Sequence, residues 1–209
     1  MRSSRILLPL LAFTAACAPG LRPLPPMAPL PEPPAESPEP VDASTARPVE
    51  LLPPELLALR DRGLLVPVEG IEPDRIPDSF ADARDGQRVH NAIDILAKRG
   101  TPVLAADDGV ILRVGKNGLG GNVVWATDAT RTFAYYYAHL EGWAHGLKEG
   151  QSVSRGEVIG YVGTTGNAPK NVPHLHFQLL RILDARHFTS GPPIDPLPYF
   201  VSAMPSATR

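Results

Sequence analysis

Pro173-His174-Leu175-His176-Phe177-Gln178-Leu179-Leu180 is the stretch on which the fold turns. Leu175, Phe177 and Leu179 alternate with His174, His176 and Gln178, the two-residue period of a strand with one buried face. Side chains two apart on a strand point the same way and lie ~6.6 Å apart. Two imidazoles side by side on a polar face repel once protonated, so a metal ion or a catalytic task is a physical reason to place them there. A solvent-facing coincidence is the plain alternative.

Runs of similar apolar or alternating character occur at Val103–Ala105, Val110–Val114, Val123–Ala126, Thr132–Ala138 and Val158–Val162. Gly-bearing turn signals separate them: Asp107-Asp108-Gly109, Lys116-Asn117-Gly118, Lys148-Glu149-Gly150, Ser154-Arg155-Gly156 and Gly163-Thr164-Thr165-Gly166. Turn clusters spaced roughly 8 to 12 residues apart, without amphipathic helices between them, predict a mainly β, antiparallel domain over about residues 64–200. Glu55 to Arg62, with Leu56, Leu57 and Leu59, has room for about two turns of helix, so helices are few and short.

Four of the six histidines fall in patterns that a metal site uses. His90 and Asp94 are four apart; on a straight strand their Cα atoms stand ~13 Å apart, near the limit for two ligands of one ion at ~2 Å bonds. The backbone must therefore bend between them, and Asn91 followed by small Ala92 suits a bend. An unrelated surface His and Asp is the competing reading. In Tyr135-Tyr136-Tyr137-Ala138-His139-Leu140 the strand period puts Tyr135, Tyr137 and His139 on a common face. Such a histidine is either a satisfied semi-buried side chain or part of a cleft wall.

Together these patterns offer two His and one Asp as ligands, with two further His to act on water or substrate. Three protein donors with one open position is the arrangement of catalytic zinc, whereas structural zinc is closed by four. His-Glu-x-x-His is absent, so the base is not a helix-borne Glu. The single cysteine, Cys17, excludes a C-x-x-C ribbon and an intramolecular disulfide. A net charge of -2 removes the basic field that nucleic acid requires.

The chain resembles the lysostaphin-like zinc metallopeptidases (peptidase family M twenty-three), bacterial endopeptidases that cut the peptide cross-links of peptidoglycan. The resemblance runs from about Leu64 to Phe200. It is carried by His90-x-x-x-Asp94, Gly100-Thr101-Pro102-Val103 through Ala106-Asp107-Asp108-Gly109-Val110, Asn117 through Asn122, Tyr137-Ala138-His139-Leu140, Gly160 through Gly166 and Pro173-His174-Leu175-His176-Phe177. It implies a lysostaphin-type antiparallel β domain with a groove, of the duplicated hybrid motif kind. It makes His90, Asp94 and His176 the ligands of one Zn(2+) per chain, and His139 and His174 the catalytic pair. One departure is Ala92, where the family usually has Gly.

Tyr135 and Tyr137 are expected to line the groove or else to pack as ordinary strand-formers. Arg84 and Arg88 are expected to meet carboxylates of a peptidoglycan stem peptide, or else to be merely solvated. Two rivals stand beside the peptidase. One is a non-catalytic envelope adaptor of the same fold, which activates a cell-wall amidase and whose mark is substitution at the metal positions; all five key residues are present here. The other is a structural ion, which requires a fourth ligand from His145 or His187. A regulatory envelope protein that opens the groove is a further expected partner.

Residues 1–17 read as an export signal, with Arg2 and Arg5, an apolar run from Ile6 to Phe13 and small residues before Cys17. The placement of Cys17 resembles a bacterial lipobox, although Thr14 stands where that pattern prefers Leu, and implies an acylated N-terminus; ordinary cleavage is the alternative. Residues 18–54 read as an extended Pro-rich linker, since 13 of the 36 residues from Pro19 to Pro54 are proline. Residues 201–209 are a tail. If Cys17 is acylated, the domain is expected in the cell envelope, held by an N-terminal lipid anchor on the outer membrane and facing the periplasm.

Overall fold

The computed structural model describes residues 52–84 and 88–202. The expected signal, the acylated Cys17 and most of the linker and tail lie outside the described residues. Helix α1 (Pro54–Arg62) opens the described chain, with a proline at its first position, where the missing N–H is no loss. It ends at Gly63, whose φ of +66° lets its N–H return to the Leu59 carbonyl at 2.9 Å. Leu59 is fully buried in the main core, so the packed domain starts at the helix, ten residues before the expected boundary at 64.

Among the described residues thirteen strands follow: β1 (Leu64–Leu65), β2 (Ala83–Arg84), β3 (Arg88–Val89), β4 (Ile93–Leu96), β5 (Pro102–Leu104), β6 (Gly109–Asn117), β7 (Gly121–Asp128), β8 (Phe133–Trp143), β9 (Ser152–Val153), β10 (Val158–Val162), β11 (His174–Arg181), β12 (Pro193–Ile194) and β13 (Phe200–Val201). All six expected runs form strands. The main sheet runs β12-β11-β8-β7-β6-β9, with β4 also on β11, and β10 on β8 and β5, all antiparallel. The parallel pair β1–β13 joins the two ends of the domain. The mainly β, antiparallel expectation is met.

β8 and β11 form the centre. One face of the pair packs Tyr135, Tyr137, Leu175, Phe177 and Leu179 into the main core with Phe133, Ile93 and Ile95. The other carries a smaller cluster of Val123, Trp125, Ala134, Tyr136, Ala138 and Leu180, partly covered by Leu112, Ile182 and Phe188. Burial on both faces explains why residues 133–138 are apolar without alternating.

Tyr135 and Tyr137, offered above as groove walls, are core residues. Their hydroxyls reach the far side of the core: Tyr135 donates to Asp107 Oδ2 at 2.8 Å, and Tyr137 accepts from the Ala106 N–H at 3.0 Å. Burial pushes the Tyr135 hydroxyl pKa well above its ordinary value. Arg62 donates through Nε to the same Asp107 oxygen at 2.8 Å, which couples α1 to the sheet. A buried carboxylate is tolerable only with donors on it, and Asp107 has both.

Tyr135→Phe keeps the ring and removes one donor from a buried carboxylate. It should lower unfolding stability by about 1–3 kcal/mol, read as a fall in the denaturant midpoint with unchanged slope; an unchanged midpoint contradicts this role for the hydroxyl.

Candidate metal centre

The site is built where β4, β11 and β8 run side by side. Asp94 lies opposite His176 across β4 and β11, and His176 lies opposite Ala138 across β11 and β8. This register brings together positions 82 residues apart. His90 arrives from β3, and the bend the sequence required is found at Asn91, which has φ +54°. The N–H groups of His90 and Asn91 donate to the carbonyls of Asp82 and Phe80, both at 2.9 Å, which ties the bend down. Ala92 is fully buried and outside the left-handed region, so its methyl group is accommodated.

His139 reaches the site through a defect in β8. Between Asn122↔Leu140 and Val124↔Tyr137, two steps along β7 match three along β8, and His139 has φ +62°. This bulge breaks the alternation that grouped His139 with Tyr135 and Tyr137. The two tyrosines stay in the core, and the His139 ring comes to 4.9 Å from that of His174 and 5.7 Å from that of His176. Tyr136 is the tyrosine on the site face, edge-on to His176 at 6.1 Å, its hydroxyl accepting from Asn117 Nδ2 at 2.9 Å.

Three donor atoms meet. His90 Nε2 and His176 Nδ1 are 3.0 Å apart, and Asp94 Oδ1 is 3.1 Å from each. Bonds of ~2.0–2.1 Å in a tetrahedral arrangement set donors ~3.3 Å apart, so this triangle fits one zinc-sized ion. Among the described residues, His90, Asp94 and His176 form the one group suited to a metal. His145 is exposed, and His187 is taken by Asp184 at the surface, so neither approaches as a fourth ligand.

Backbone carbonyls set the tautomers. A carbonyl only accepts, so each facing nitrogen must carry the proton: His90 Nδ1 donates to the Ser79 carbonyl, His139 Nδ1 to that of Thr165 and His174 Nδ1 to that of Val172, each at 2.8 Å. In the neutral imidazole this leaves the lone pair on Nε2. Ser79 also accepts the Asp94 N–H on Oγ at 3.1 Å, bracing two of the three donors. The sequence carries no signal for Ser79, Thr165 or Val172, because a carbonyl's direction depends on the folded backbone.

The electrostatics keep the donors in the forms a metal needs. Burial alone would raise the Asp94 carboxyl; the hydrogen bond from His176 and the neighbouring His90 ring outweigh it and hold it well below the carboxylate range. Burial lowers His176 against the pull of Asp94, and burial takes His139 down to about 4, opposed by the Thr165 carbonyl. His139 is therefore neutral at pH 7.

The triangle opens on a groove of about 830 Å³ whose walls include Arg84, Arg88, Leu119, Trp125, Tyr136 and Val172. Both expected arginines are on that wall. Arg84 donates through Nη2 to Asp94 Oδ2 at 2.6 Å. The same nitrogen is 3.1 and 3.2 Å from the two His90 nitrogens. An in-plane approach midway between them would strike the intervening Cε1, so the guanidinium lies over the ring face and leaves the Nε2 lone pair clear.

The left-handed backbone at His139 gives a test independent of chemistry. Asn tolerates this conformation and β-branched residues do not. His139→Val should unfold about 1–2 kcal/mol more easily than His139→Asn; equal stabilities in denaturant titration would argue against the bulge.

Residues 88–196 match the family model described as Peptidase family M23. An L-Ala--D-Glu endopeptidase of Bacillus subtilis is 40% identical over 110 residues, 49% of this chain and 33% of that protein. Lysostaphin of Staphylococcus simulans is 33% identical over 116 residues, 55% of this chain and 22% of its own length. The chain thus spans a third or less of these relatives. Among solved structures, Helicobacter pylori Csd3 superposes with a TM-score of 0.52 at 32% identity, over 67% of this chain and 35% of that one. A zinc-containing peptidase from Vibrio cholerae does so with a TM-score of 0.50 at 27% identity, over 65% and 40%. The matched segment takes in more than half of the sequence and all of the donor triangle, and the chain belongs to peptidase family M23.

Proposed function

We propose that the chain is a zinc-dependent endopeptidase that hydrolyses peptide cross-links of peptidoglycan. The observation that carries this reading is the donor triangle of His90, Asp94 and His176 beside two histidines whose Nε2 atoms are free to take a proton. The names of the relatives, which include endopeptidases of the cell wall, point the same way.

His90 Nε2, Asp94 Oδ1 and His176 Nδ1 would hold the ion. Zinc supplies Lewis acidity there, polarising a carbonyl and making water more acidic. The remaining work falls to the side chains. His139 and His174 stand on one side of the triangle with Nδ1 pinned to carbonyls, so neither ring can turn its proton-bearing nitrogen into the groove. The Nε2 of one takes the proton of the attacking water and returns it to the departing amine. The other can donate to the oxygen that gains charge only when its own Nε2 also carries a proton. The groove admits an extended peptide, and Leu119, Trp125 and Val172 on its walls exclude water from part of it.

An adaptor that binds without cutting has no need for an intact donor triangle, and here all three donors meet within bonding range of one ion. The proposal extends to location. Cys17 after Thr14-Ala15-Ala16 supports an acylated N-terminus, and a Pro-rich segment at ~3 Å per residue would let the domain range on the order of 100 Å from its anchor.

Purified protein should carry one zinc per chain and release muropeptides from isolated sacculi, a release stopped by chelator and restored by zinc. His139→Ala or His174→Ala should slow release by ~10²-fold or more with zinc retained; full activity in either variant overturns the pair, and zinc-loaded protein that leaves sacculi intact favours the adaptor. Cys17→Ser should move the protein from the membrane to the soluble fraction; persistence in membranes counts against the lipid anchor.

A further inference from the structure

The connection from β10 to β11 meets the bulge in β8 at Thr165, and both ends of that residue are engaged there. Its carbonyl accepts the His139 Nδ1 proton at 2.8 Å. Its hydroxyl accepts the Asn122 N–H of β7 at 2.9 Å and donates to the Leu140 carbonyl of β8 at 2.8 Å. A hydroxyl has one proton and two lone pairs, so both of these bonds are made at once. Thr165 is half-buried and does not line the groove, so it touches the imidazole from behind and not the space in front of it.

These contacts fall where the β7–β8 ladder is broken, between Asn122↔Leu140 and Val124↔Tyr137. His139, in the left-handed conformation, gives its N–H to the Gly120 carbonyl at 2.7 Å. The Leu140 carbonyl next to it receives the Asn122 Nδ2 at 3.0 Å as well as the Thr165 hydroxyl. Gly121, with φ +68°, permits the approach: a Cβ there would strike Thr165 Oγ1 and the Gly166 nitrogen. One hydroxyl thus joins the two strands on either side of His139, and the carbonyl of the same residue holds the ring. A shift of Thr165 would withdraw the acceptor of the Nδ1 proton, and a neutral imidazole without that acceptor carries its proton on either nitrogen.

We infer that Thr165 is a positioning residue for His139: its hydroxyl fastens the β10–β11 connection to the bulge, and the carbonyl so placed keeps the ring proton on Nδ1 and turns Nε2 to the groove. The effect on rate rests on the endopeptidase reading; the effect on the tautomer does not.

Thr165→Val keeps the branched shape and removes the hydroxyl, whereas Thr165→Ser keeps the hydroxyl. Nitrogen NMR shifts of isotope-labelled histidine in the zinc-loaded protein report which ring nitrogen is protonated. The unaltered protein should carry the His139 proton on Nδ1. Thr165→Val should spread it over both nitrogens and lower kcat on a soluble cross-linked muropeptide by about tenfold to a hundredfold, the range of a small misplacement of a reacting group. KM should change little, and one zinc per chain should remain. Thr165→Ser should recover the Nδ1 signal and most of the rate. Tyr135→Phe, which weakens the far side of the core, should leave signal and kcat as they were; losses equal to those of Thr165→Val would overturn the inference. A His139 proton found on Nε2 of the unaltered protein overturns it whether or not a variant folds, and so does an unchanged signal in Thr165→Val. If Thr165→Val loses the Nδ1 signal while the unaltered protein cuts no muropeptide, the endopeptidase reading fails and the positioning stands; if both chains cut at equal rates, the positioning fails and the reading stands.

Discussion

Everything at this site depends on the pairing of one strand with two others. β11 lies between β4 and β8, and its register fixes His176 opposite Asp94 on one side and Ala138 on the other. A slip of one residue would turn both histidines of β11 into the core and bring Leu175 and Phe177 to the groove. That slip is resisted by the core itself, because Leu175, Phe177 and Leu179 are fully buried against Tyr135 and Tyr137. The hydrophobic face therefore holds the polar face in place, and the donor triangle inherits its precision from apolar packing.

Two local departures from regular strand geometry complete what the register begins. Asn91 turns the chain so that His90 and Asp94 face one another, and the left-handed His139 changes the parity of β8 so that an imidazole leaves the core side. Residues other than glycine adopt this backbone conformation at a cost, and two of the three among the described residues, Asn91 and His139, serve the site. Backbone carbonyls then orient the imidazoles: they accept the Nδ1 protons and leave Nε2 facing the groove. Burial contributes by disfavouring the protonated forms of His139 and His176, which suits binding a cation and moving a proton.

The donors have two origins. Asp94 and His176 stand on strands packed against the core, while His90 follows the short β2–β3 pair at the rim, which also carries Arg84 and Arg88. Rim and triangle are joined, since Arg84 Nη2 donates to Asp94 Oδ2 at 2.6 Å.

Much of this was written in the linear pattern. The alternation of 174–179 fixed a strand with two histidines on one face, the turn signals fixed an antiparallel domain, and the spacing of His90 and Asp94 demanded a bend that Asn91 supplies. β4 was not legible, because its short run Ile93–Leu96 becomes a strand through its pairing with β11. The tyrosines were misassigned for a related reason: a period of two predicts faces only while the strand is regular, and the bulge at His139 is set by pairing with β7. The partners of Arg84 and the three carbonyls that orient the rings were also beyond reach. Side-chain chemistry and its periodicity are local properties, so the sequence alone determined which residues could bind an ion and move a proton. Register, bulges and carbonyl directions arise from contacts between distant segments, so only the tertiary structure decided which of those residues meet and which way they face.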